Sequence, residues 1–559
     1  MSIERGKIRW NGWGWVAHDD AMAGREELWR WLASELGMPS LLATPARPLE
    51  EIAVAAPRLS PAERQCFASI LGADRIHDDS HERAFHARGK SYHDLLRLRA
   101  GDLSVAPDAV LYPRGTDEVL RILAFASENA IAVVPYGGGT SVVGGVSAAA
   151  GEFKSVVSLD LTGMERIGEI DTIAGTATAE AGIYGFVLEK ALQAKALRLG
   201  HYPQSFEFST LGGWIAHRGA GQLSNRYGKP EDWLLSVKLA TPNGLLATED
   251  FPSSAAGPRL TDLVIGSEGA FGVITEARVR ALALPQAADY RGFLFRDFAS
   301  GITAIRQAMR EEIPTAMLRL SDAEETRFFR AYSNIGKRGG LSRRLARTYL
   351  DVRGIGERAC ALIAGFEGSA RNVSAARKGF QAIAKRLGAL SLGTGAGESW
   401  HKTRFQSPYL RDPMLDRGVG VDTLETAARW TKLPALYAAV RSAIESAIGE
   451  TVPHPSAHGI VMCHVSHAYS DGASLYFTYI FPRALDGELA QWQTIKNAAS
   501  NAIVTHGGTI SHHHGVGEDH LPWITAEKSA LGIDVLRAIK HALDPKGILN
   551  PGKLIPPEF

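Results

Sequence analysis

The chain has 559 residues, more than one hydrophobic core usually supports, so two or three domains are expected. Its 61 Lys and Arg residues nearly balance its 60 Asp and Glu residues, which argues against nucleic acid as a partner. The cysteines Cys66, Cys360 and Cys463 lie far apart and form no C-x-x-C pair, which argues against a disulfide framework, a thiolate metal site or a redox dithiol.

Neither end of the chain carries a recognisable targeting signal. The first residues lack the charged head and apolar run of a signal peptide, and no apolar stretch reaches the ~18 residues of a membrane span. The last four residues, Pro-Pro-Glu-Phe, do not form a peroxisomal C-terminal signal. A soluble cytoplasmic protein that can contact a membrane surface peripherally is therefore expected.

The first half of the chain divides into two predicted regions. Residues 1–104 contain short amphipathic runs, such as 26–32, and are predicted to form a helical N-terminal segment. Residues 105–283 alternate β-branched runs with helical stretches, which is typical of a domain built from strands and helices. The predicted strands there are 132–135, 155–159 and 263–266, and the predicted helices are 116–129 and 185–194.

The second half is predicted to contain a substrate or cap domain at 284–499 and a C-terminal segment at 500–559. Helical patterns at 371–387 and 433–448 and a strand run at 475–480 indicate a second α+β domain. The basic, glycine-rich stretch 336–348 is predicted to be a mobile surface loop. The predicted fold class of the whole chain is α+β.

A run of three glycines, 137–139, follows the predicted strand 132–135 within the sequence P-Y-G-G-G-T-S. Glycines permit positive φ and let backbone N–H groups approach a phosphate without an intervening Cβ, so the run predicts a pyrophosphate cradle. The run by itself is more often a tight surface turn, and the rest of the domain is what favours the cradle. Neither a Rossmann G-x-G-x-x-G nor a Walker lysine accompanies it, which disfavours folds that bind NAD or ATP.

Two later segments, 204–213 and 266–275, also place small hydroxyl residues beside glycines. The three segments in this order resemble the two-subdomain FAD-binding domain of the vanillyl-alcohol-oxidase superfamily. The resemblance implies a FAD-binding domain at 105–283, with the pyrophosphate on the first glycine loop. The flavin contacts that it implies are Pro135, Tyr136, Gly137, Gly138, Gly139, Thr140, Ser141, Gln204, Ser205, Phe206, Glu207, Phe208, Ser209, Thr210, His217, Arg218, Gly219, Ala220, Glu268, Gly269, Ala270, Phe271, Gly272, Val273 and Ile274.

More specific strings narrow the resemblance within that superfamily. W-N-G-W-G at 10–14, G-H-Y-P at 200–203, E-F-S-T-L-G-G-W-I at 207–215 and S-H-H-H-G-V-G at 511–517 resemble the alkyldihydroxyacetone-phosphate synthases over nearly the whole chain. These enzymes replace the acyl chain of acyl-dihydroxyacetone phosphate with a fatty alcohol, using FAD without net redox change. The resemblance implies a lipid substrate, a homodimer and a C-terminal segment that returns to the flavin. Non-covalent FAD is expected, because the glycine loop offers Tyr136 and no His or Cys for attachment.

The chemistry of this family assigns roles to two arginines and one tyrosine. By resemblance, Arg411 binds the substrate phosphate, Arg319 is a second arginine needed for activity, and Tyr476 donates and accepts the proton at the substrate carbon. A lone arginine is more often a solvated surface residue, and a tyrosine in an apolar strand is often only part of the core. The motif context favours the functional interpretation for all three.

The histidines His512, His513 and His514 are predicted to move protons and to bond the substrate. On an extended segment adjacent side chains alternate in direction, so all three cannot face one ion, and no metal site is predicted. An ordinary imidazole pKa of ~6.5 suits proton transfer near neutrality, and the histidines are expected to lower the pKa of Tyr476 towards neutrality.

The main alternative is a FAD-linked 2-hydroxyacid dehydrogenase or oxidase of the same fold. Such relatives carry H-x-G-D-G-N-x-H and G-E-H-G segments that hold a divalent cation. Here Tyr476 stands where the second histidine of the first segment would be, and His513 replaces the glutamate of the other, which favours the transferase. The ending N-P-G-K-L at 550–554 is common among the redox relatives. A non-catalytic scaffold is disfavoured because the candidate site residues are intact.

Overall fold

The computed structural model describes residues 4–18, 25–335, 350 and 354–557. Helices and sheets are mixed along the chain, and the predicted α+β class is confirmed. The predicted surface loop at 336–348 lies outside the described residues.

The described strands fall into sheets of four, five, two and seven strands. In chain order they are β1 (Ile76–His77), β2 (Ala109–Leu111), β3 (Ile131–Tyr136), β4 (Ser155–Asp160), β5 (Ile167–Asp171), β6 (Thr176–Glu180), β7 (Leu197–Arg198), β8 (Leu234–Thr241), β9 (Gly244–Ala247), β10 (Val273–Arg280), β11 (Leu282–Ala283), β12 (Ala287–Phe295), β13 (Met317–Ser321), β14 (Cys360–Gly368), β15 (Leu390–Gly393), β16 (Val419–Arg429), β17 (Ile460–Ala468) and β18 (Gly472–Pro482).

The described α-helices occur in every region of the chain. They are α1 (Glu26–Glu35), α2 (Pro61–Leu71), α3 (Ser80–Phe85), α4 (Tyr92–Ala100), α5 (Thr116–Glu128), α6 (Gly185–Gln193), α7 (Leu211–Ala216), α8 (Ser224–Tyr227), α9 (Pro230–Trp233), α10 (Thr261–Val264), α11 (Phe298–Arg310), α12 (Ala323–Asn334), α13 (Ala370–Arg386), α14 (Gly395–Thr403), α15 (Arg411–Leu415), α16 (Leu433–Thr451), α17 (Glu488–Thr505), α18 (Leu521–Lys528) and α19 (Ala530–Leu543). Among these described helices, none is long and apolar enough to span a membrane.

The glycine-rich loop lies at one end of the four-stranded sheet, whose order is β1-β2-β4-β3. Strands β2, β4 and β3 run parallel, and helix α5 connects β2 to β3. The helix buries Val119, Ile122, Leu123 and Ala126, a spacing that places them on one helical face. The loop follows the carboxyl end of β3, which is the end where open α/β sheets bind ligands.

The seven-stranded antiparallel sheet, ordered β15-β12-β14-β13-β17-β18-β16, organises the second half of the chain. Its longest ladder joins β16 to β18 over eleven paired residues, from Val419 opposite Pro482 to Arg429 opposite Gly472. Side chains that are paired across an antiparallel ladder project from the same face. The register of this sheet therefore decides which polar side chains meet.

Most predicted elements form, but the strand predicted at 263–266 is wrong. Residues Thr261–Val264 are a short helix, and Gly266, two residues after its end, has a φ of +82° that suits glycine. A four-residue apolar run fits a buried strand and a helical turn equally well, because it is too short to show a period.

The chain returns to the glycine-loop sheet near its C-terminus. Leu549 forms a parallel bridge with Val133 of β3, and the Asn550 amide N–H donates to the Val133 carbonyl at 2.9 Å. The Asn550 side-chain amide donates to the carbonyls of Gly145 and Glu268 at 3.0 and 2.6 Å. These bonds hold residues 549–550 against strand β3, which leads into the glycine loop, and against Glu268 of the 266–275 segment.

Candidate active site

One face of the seven-stranded sheet carries two of the predicted catalytic residues, Tyr476 and Arg319. Tyr476 on β18 lies opposite His464 on β17 and opposite Glu425 on β16. His464 is in turn paired with Ser321 on β13, two residues from Arg319. Since paired residues and residues two apart share a face, the sheet brings these side chains together.

Arg319 belongs to a buried polar group at the β13 side of this face. Its guanidinium donates to the Glu325 carboxylate at 2.9 Å and contacts His464 Nδ1 at 3.2 Å. His464 Nδ1 also lies 3.0 Å from Glu325. Although burial alone would raise the pKa of the Glu325 carboxyl, Arg319 and His464 hold that pKa well below its usual range. Glu325 therefore carries a negative charge that fixes the direction of Arg319.

Glu425 holds the backbone of the triple-histidine segment through hydrogen bonds. Its side chain is buried and accepts backbone N–H bonds from His512, His513 and His514 at 2.5, 3.0 and 2.7 Å, and a hydroxyl bond from Ser511 at 3.0 Å. Burial alone would raise the pKa of this carboxyl, but the three histidines and the amide donors hold it well below its usual range. A single carboxylate thus holds the backbone of the whole motif.

The expectation of an extended histidine segment is wrong. Residues 512–514 form a bend around Glu425, because three consecutive amides point at one acceptor. The imidazoles of His512 and His513 consequently meet, with their Nδ1 atoms 2.9 Å apart. His467 joins them, so that three imidazoles offer nitrogens within 4.8 Å of one another. Such a set could hold a metal ion, although each imidazole already has hydrogen-bond partners in the protein.

The expectation that the pKa values of His512, His513 and His514 lie near neutrality is wrong. Burial lowers the pKa of His513 to about 3 and that of His514 to about 4, with Glu425 opposing the shift in both. Burial and neighbouring imidazoles also place the pKa of His512 well below its ordinary value. The three side chains are therefore neutral at pH 7, each with one donor and one acceptor nitrogen.

Tyr476 lies between His464 and the histidines of the 512–514 segment. Its ring stacks on His464 at a centroid distance of 5.0 Å and lies 6.0 and 5.6 Å from the rings of His513 and His514. Burial raises the pKa of its phenol, while Thr423 and Arg411 oppose the shift. The expectation of a lowered pKa is therefore wrong, and the phenol is protonated at pH 7.

Arg411 begins helix α15 and reaches the same region from the opposite side. Its guanidinium donates to the carbonyl of Lys90 at 2.9 Å and makes no ion pair within 4.0 Å in the described ranges. It lies close enough to Tyr476 and His514 to influence their pKa values. Arg411 is thus a partly buried cation beside the candidate acid–base groups, with no carboxylate within 4.0 Å among the described residues but with the buried Asp422 close enough to feel its charge.

Part of the predicted flavin segment 204–210 packs against the glycine loop, and other side chains of that segment contact different parts of the protein. The carbonyl of Phe208 and the side chain of Thr210 pack so closely on Gly138 and Gly137 that a Cβ on either glycine would clash. The side chains of Gln204 and Phe206 point elsewhere, since Gln204 donates to the Arg404 carbonyl and Phe206 packs on Phe405.

Glu268 and His217 lie at the junction between these segments and the histidine motif. Glu268 has a φ of +49°, and its carboxylate accepts the amides of Val516 and Gly517 at 2.6 and 2.7 Å. His217 lies so close to Gly145 and Gly515 that a Cβ on either would meet its ring. Burial raises the pKa of the Glu268 carboxyl, with His217 opposing the shift. Glu268 therefore joins the 266–275 segment to the motif at 511–517.

Comparisons with known proteins identify the family. The profile described as "FAD binding domain" matches residues 107–248, and that described as "FAD linked oxidases, C-terminal domain" matches residues 284–554. The chain is 34% identical to the "Alkyldihydroxyacetonephosphate synthase" of Dictyostelium discoideum, over 98% of this chain and 94% of that protein. It belongs to the alkyldihydroxyacetonephosphate synthase family. The relative from Trypanosoma brucei brucei is also 34% identical, over 98% of this chain and 92% of that protein.

A solved alkyldihydroxyacetonephosphate synthase structure has the same fold. It superposes with a TM-score of 0.83 at 32% identity, covering 99% of this chain and all of that one. The chain is thus a flavoprotein enzyme that uses FAD, as its sequence motifs predict.

The glycine loop fits a FAD diphosphate. Within the described residues, the amides of Gly138, Gly139 and Thr140 donate to no protein acceptor, so they are free to bond an anion. Gly139 has a φ of +67°, a conformation that favours glycine and turns successive amides towards one point. These residues would hold the diphosphate of this family member's cofactor.

Sequence reasoning missed Glu425, Glu325, His467 and Tyr469 as members of the site. Tyr469 bonds His512 Nε2 at 2.6 Å, and His467 bonds the Gly221 carbonyl at 3.1 Å. No distinctive sequence signal marks Glu425, because strand β16 mixes apolar residues with Asp422, Thr423 and Thr426. The backbone amides that bond Glu425 lie 87 to 89 residues further along the chain.

Proposed function

We propose that the protein exchanges the acyl chain of acyl-dihydroxyacetone phosphate for a fatty alcohol, a step of ether-lipid synthesis. In this exchange the bond between the substrate carbon and the ester oxygen breaks and a bond to the alcohol oxygen forms. The alcohol proton ends on the released fatty acid. The observation that carries the proposal is the cluster of Tyr476, the 512–514 imidazoles and Arg319 on one sheet face, with the unpaired Arg411 beside it.

The protonation states support specific roles. Tyr476 has a protonated phenol and neutral imidazoles as neighbours, so it can pass a proton to them or receive one while the substrate carbon loses and regains a proton. A bound phosphate dianion would raise the pKa of nearby His514 and make that imidazole a better base. FAD, when bound, supplies a ring able to accept and return electrons, and the overall exchange leaves its redox state unchanged.

The arginines have different duties in this proposal. Arg411 has guanidinium donors that are not used by carboxylates, which suits a planar bidentate contact with phosphate. Arg319 is committed to Glu325 and Ser321, so it acts on His464 and on the charge of the site.

An isotope experiment tests the activity. The purified holoprotein is incubated with acyl-dihydroxyacetone phosphate and a fatty alcohol that carries ¹⁸O in its hydroxyl group. We expect ¹⁸O in the ether product, one fatty acid released per ether formed, and no requirement for an electron acceptor. Failure to form the ether, together with flavin bleaching by 2-hydroxyacids that is sustained through turnover with an acceptor, would establish the dehydrogenase alternative instead.

We also propose that the protein is a cytoplasmic homodimer that contacts membranes peripherally. The lipid substrate favours such contact, because the fatty chains reside in membranes. Analytical ultracentrifugation tests the dimer, and co-sedimentation with phospholipid vesicles tests the membrane contact. A monomer that stays in the supernatant would contradict both parts.

A further inference from the structure

An N-terminal segment, residues 4–18, lies against the glycine loop and is not among the predicted flavin contacts. A cavity between the two is lined by Arg5, Trp13 and Gly14 of the segment, by Lys90, and by Gly138 and Thr140 of the glycine loop. Trp13 also packs edge-on against Phe208 at 5.7 Å between ring centroids. The segment therefore forms one wall of a cavity whose other wall is the predicted diphosphate site.

The segment is held in place by the cap domain. The Trp13 amide donates to the Asp412 carboxylate at 2.6 Å, and the Arg9 guanidinium lies 3.4 Å from the same carboxylate. Gly12 packs on Asp412 and Gly14 packs on the ring of Tyr409, so tightly that a Cβ at either position would clash. Gly14 also has a φ of +85°. The glycines of the W-N-G-W-G motif are thus explained by close packing that a larger residue would prevent.

Lys90 connects this segment to the glycine loop. Its ammonium group donates to the carbonyls of Arg9 and Trp10 at 3.3 and 3.0 Å, and its backbone N–H donates to the Ser141 carbonyl at 2.6 Å. The residue is 5% exposed, and no carboxylate lies within 4.0 Å of its ammonium in the part of the chain that the structure describes. Burial lowers the pKa of Lys90 to about 8, with the more distant carboxylates of Asp412 and Asp94 opposing the shift, and the residue is still mostly charged at neutral pH.

A buried cation without a carboxylate is costly unless an anion accompanies it. Other cations nearby are already neutralised, since Arg5 pairs with Asp160 and Arg9 with Asp412. Gly138 and Thr140, whose amides donate to no acceptor in the described residues, line the same cavity as Lys90. The cation and the amides together have the chemistry of a diphosphate site.

We propose that Lys90 and the N-terminal segment complete the FAD site, with the Lys90 ammonium balancing the diphosphate charge and the segment closing the cavity over it. The inference depends on FAD being the cofactor and is independent of which lipid the enzyme uses.

The test compares Lys90→Met with the wild type as purified full-length apoproteins. Riboflavin lacks the diphosphate, so loss of a diphosphate contact weakens binding of FAD but not of riboflavin. We expect the FAD dissociation constant, measured by fluorescence titration, to rise at least tenfold and the riboflavin constant to change less than twofold. Equal loss of both ligands, or unchanged FAD affinity, would overturn the proposal.

A matched control is Lys154→Met, which removes an ion pair between Lys154 and Glu63 next to the amino end of β4, at the other end of the parallel sheet. It is expected to bind FAD like the wild type. If Lys90→Met does not fold, Gly14→Ala tests the same wall, because its Cβ would push the segment off Tyr409. We expect Gly14→Ala to release FAD at least several-fold faster, and wild-type release would contradict the proposal.

Discussion

Glu425 and Tyr476 lie directly opposite each other across strands β16 and β18, so the residue that holds the histidine backbone and the candidate proton donor share one register. Moving one of these strands by one residue would turn its side chain to the opposite face and separate the pair. The position of the 512–514 imidazoles over Tyr476 therefore depends on the Glu425 carboxylate.

The first prediction is that Glu425→Gln uncouples the histidine motif from the sheet. The His512 amide donates to one carboxylate oxygen of Glu425, and the His513 and His514 amides donate to the other. A glutamine side chain has only one acceptor oxygen, and its NH₂ group would face a backbone N–H donor. The three backbone bonds therefore cannot all form. We expect the free energy of unfolding to fall by about 3 kcal/mol and turnover to fall by about a hundredfold. Thermal unfolding and steady-state ether formation measure the two effects.

The control for this substitution is Glu445→Gln, which removes an exposed carboxylate paired with Arg441. It is expected to leave turnover unchanged and to alter stability by less than about 1 kcal/mol. Wild-type turnover in Glu425→Gln would show that the motif does not need its carboxylate anchor.

The second prediction is that Tyr476→Phe nearly abolishes turnover while folding and FAD content stay intact. The ring and its stacking on His464 remain, so the structural cost is expected to be on the order of 1 kcal/mol. Loss of a positioned acid–base group costs a factor of ~10² to 10⁴ in rate. Turnover number, melting temperature and flavin absorbance are the measurements.

Tyr290→Phe is the matched control, because Tyr290 is likewise a buried tyrosine of the same sheet, on strand β12, and its hydroxyl bonds the Glu367 carboxylate of β14 at 2.7 Å. It is expected to lose some stability and to keep its turnover. If Tyr476→Phe behaves in the same way, Tyr476 is only a core residue.

The third prediction is that Arg411→Lys weakens binding of the phosphate-bearing substrate and leaves FAD in place. An ammonium cannot reproduce the bidentate fork of a guanidinium, and the loss of one charge-assisted bond corresponds to about 1.5–3 kcal/mol. We expect KM for acyl-dihydroxyacetone phosphate to rise by ten- to a hundredfold. Loss of flavin with unchanged substrate affinity would show that Arg411 serves the cofactor.

The sequence predicted the family and most elements because those depend on motifs and local patterns. It could not place Arg319 beside His464, because that contact follows from the β13–β17 pairing of residues 145 positions apart. The same reason explains the omission of Glu425. Strand register is set by packing of the complete sheet, which the sequence shows only indirectly.

The expected imidazole pKa values failed for a different physical reason. An unperturbed value of ~6.5 applies to a solvated ring, but the rings of His513 and His514 are largely removed from water, and burial disfavours their charged form. Sequence shows that histidines are present and does not show how deeply they lie. The roles assigned to the individual flavin contacts and to Arg319 stay predictions.

The last prediction concerns stability at mildly acidic pH. The folded-state pKa values of His513 and His514, about 3 and about 4, lie below the unfolded value of ~6.5. Between these limits the unfolded chain binds protons on both imidazoles and the folded chain does not, so their contribution to stability is present above pH 6.5 and declines as the pH falls. We expect the melting temperature of the wild type to decrease between pH 7.5 and pH 5 more steeply than that of the double variant His513→Gln, His514→Gln. His506→Gln, at an exposed position, is expected to keep the wild-type slope. Identical slopes in all three proteins would show that these imidazoles titrate normally in the folded state.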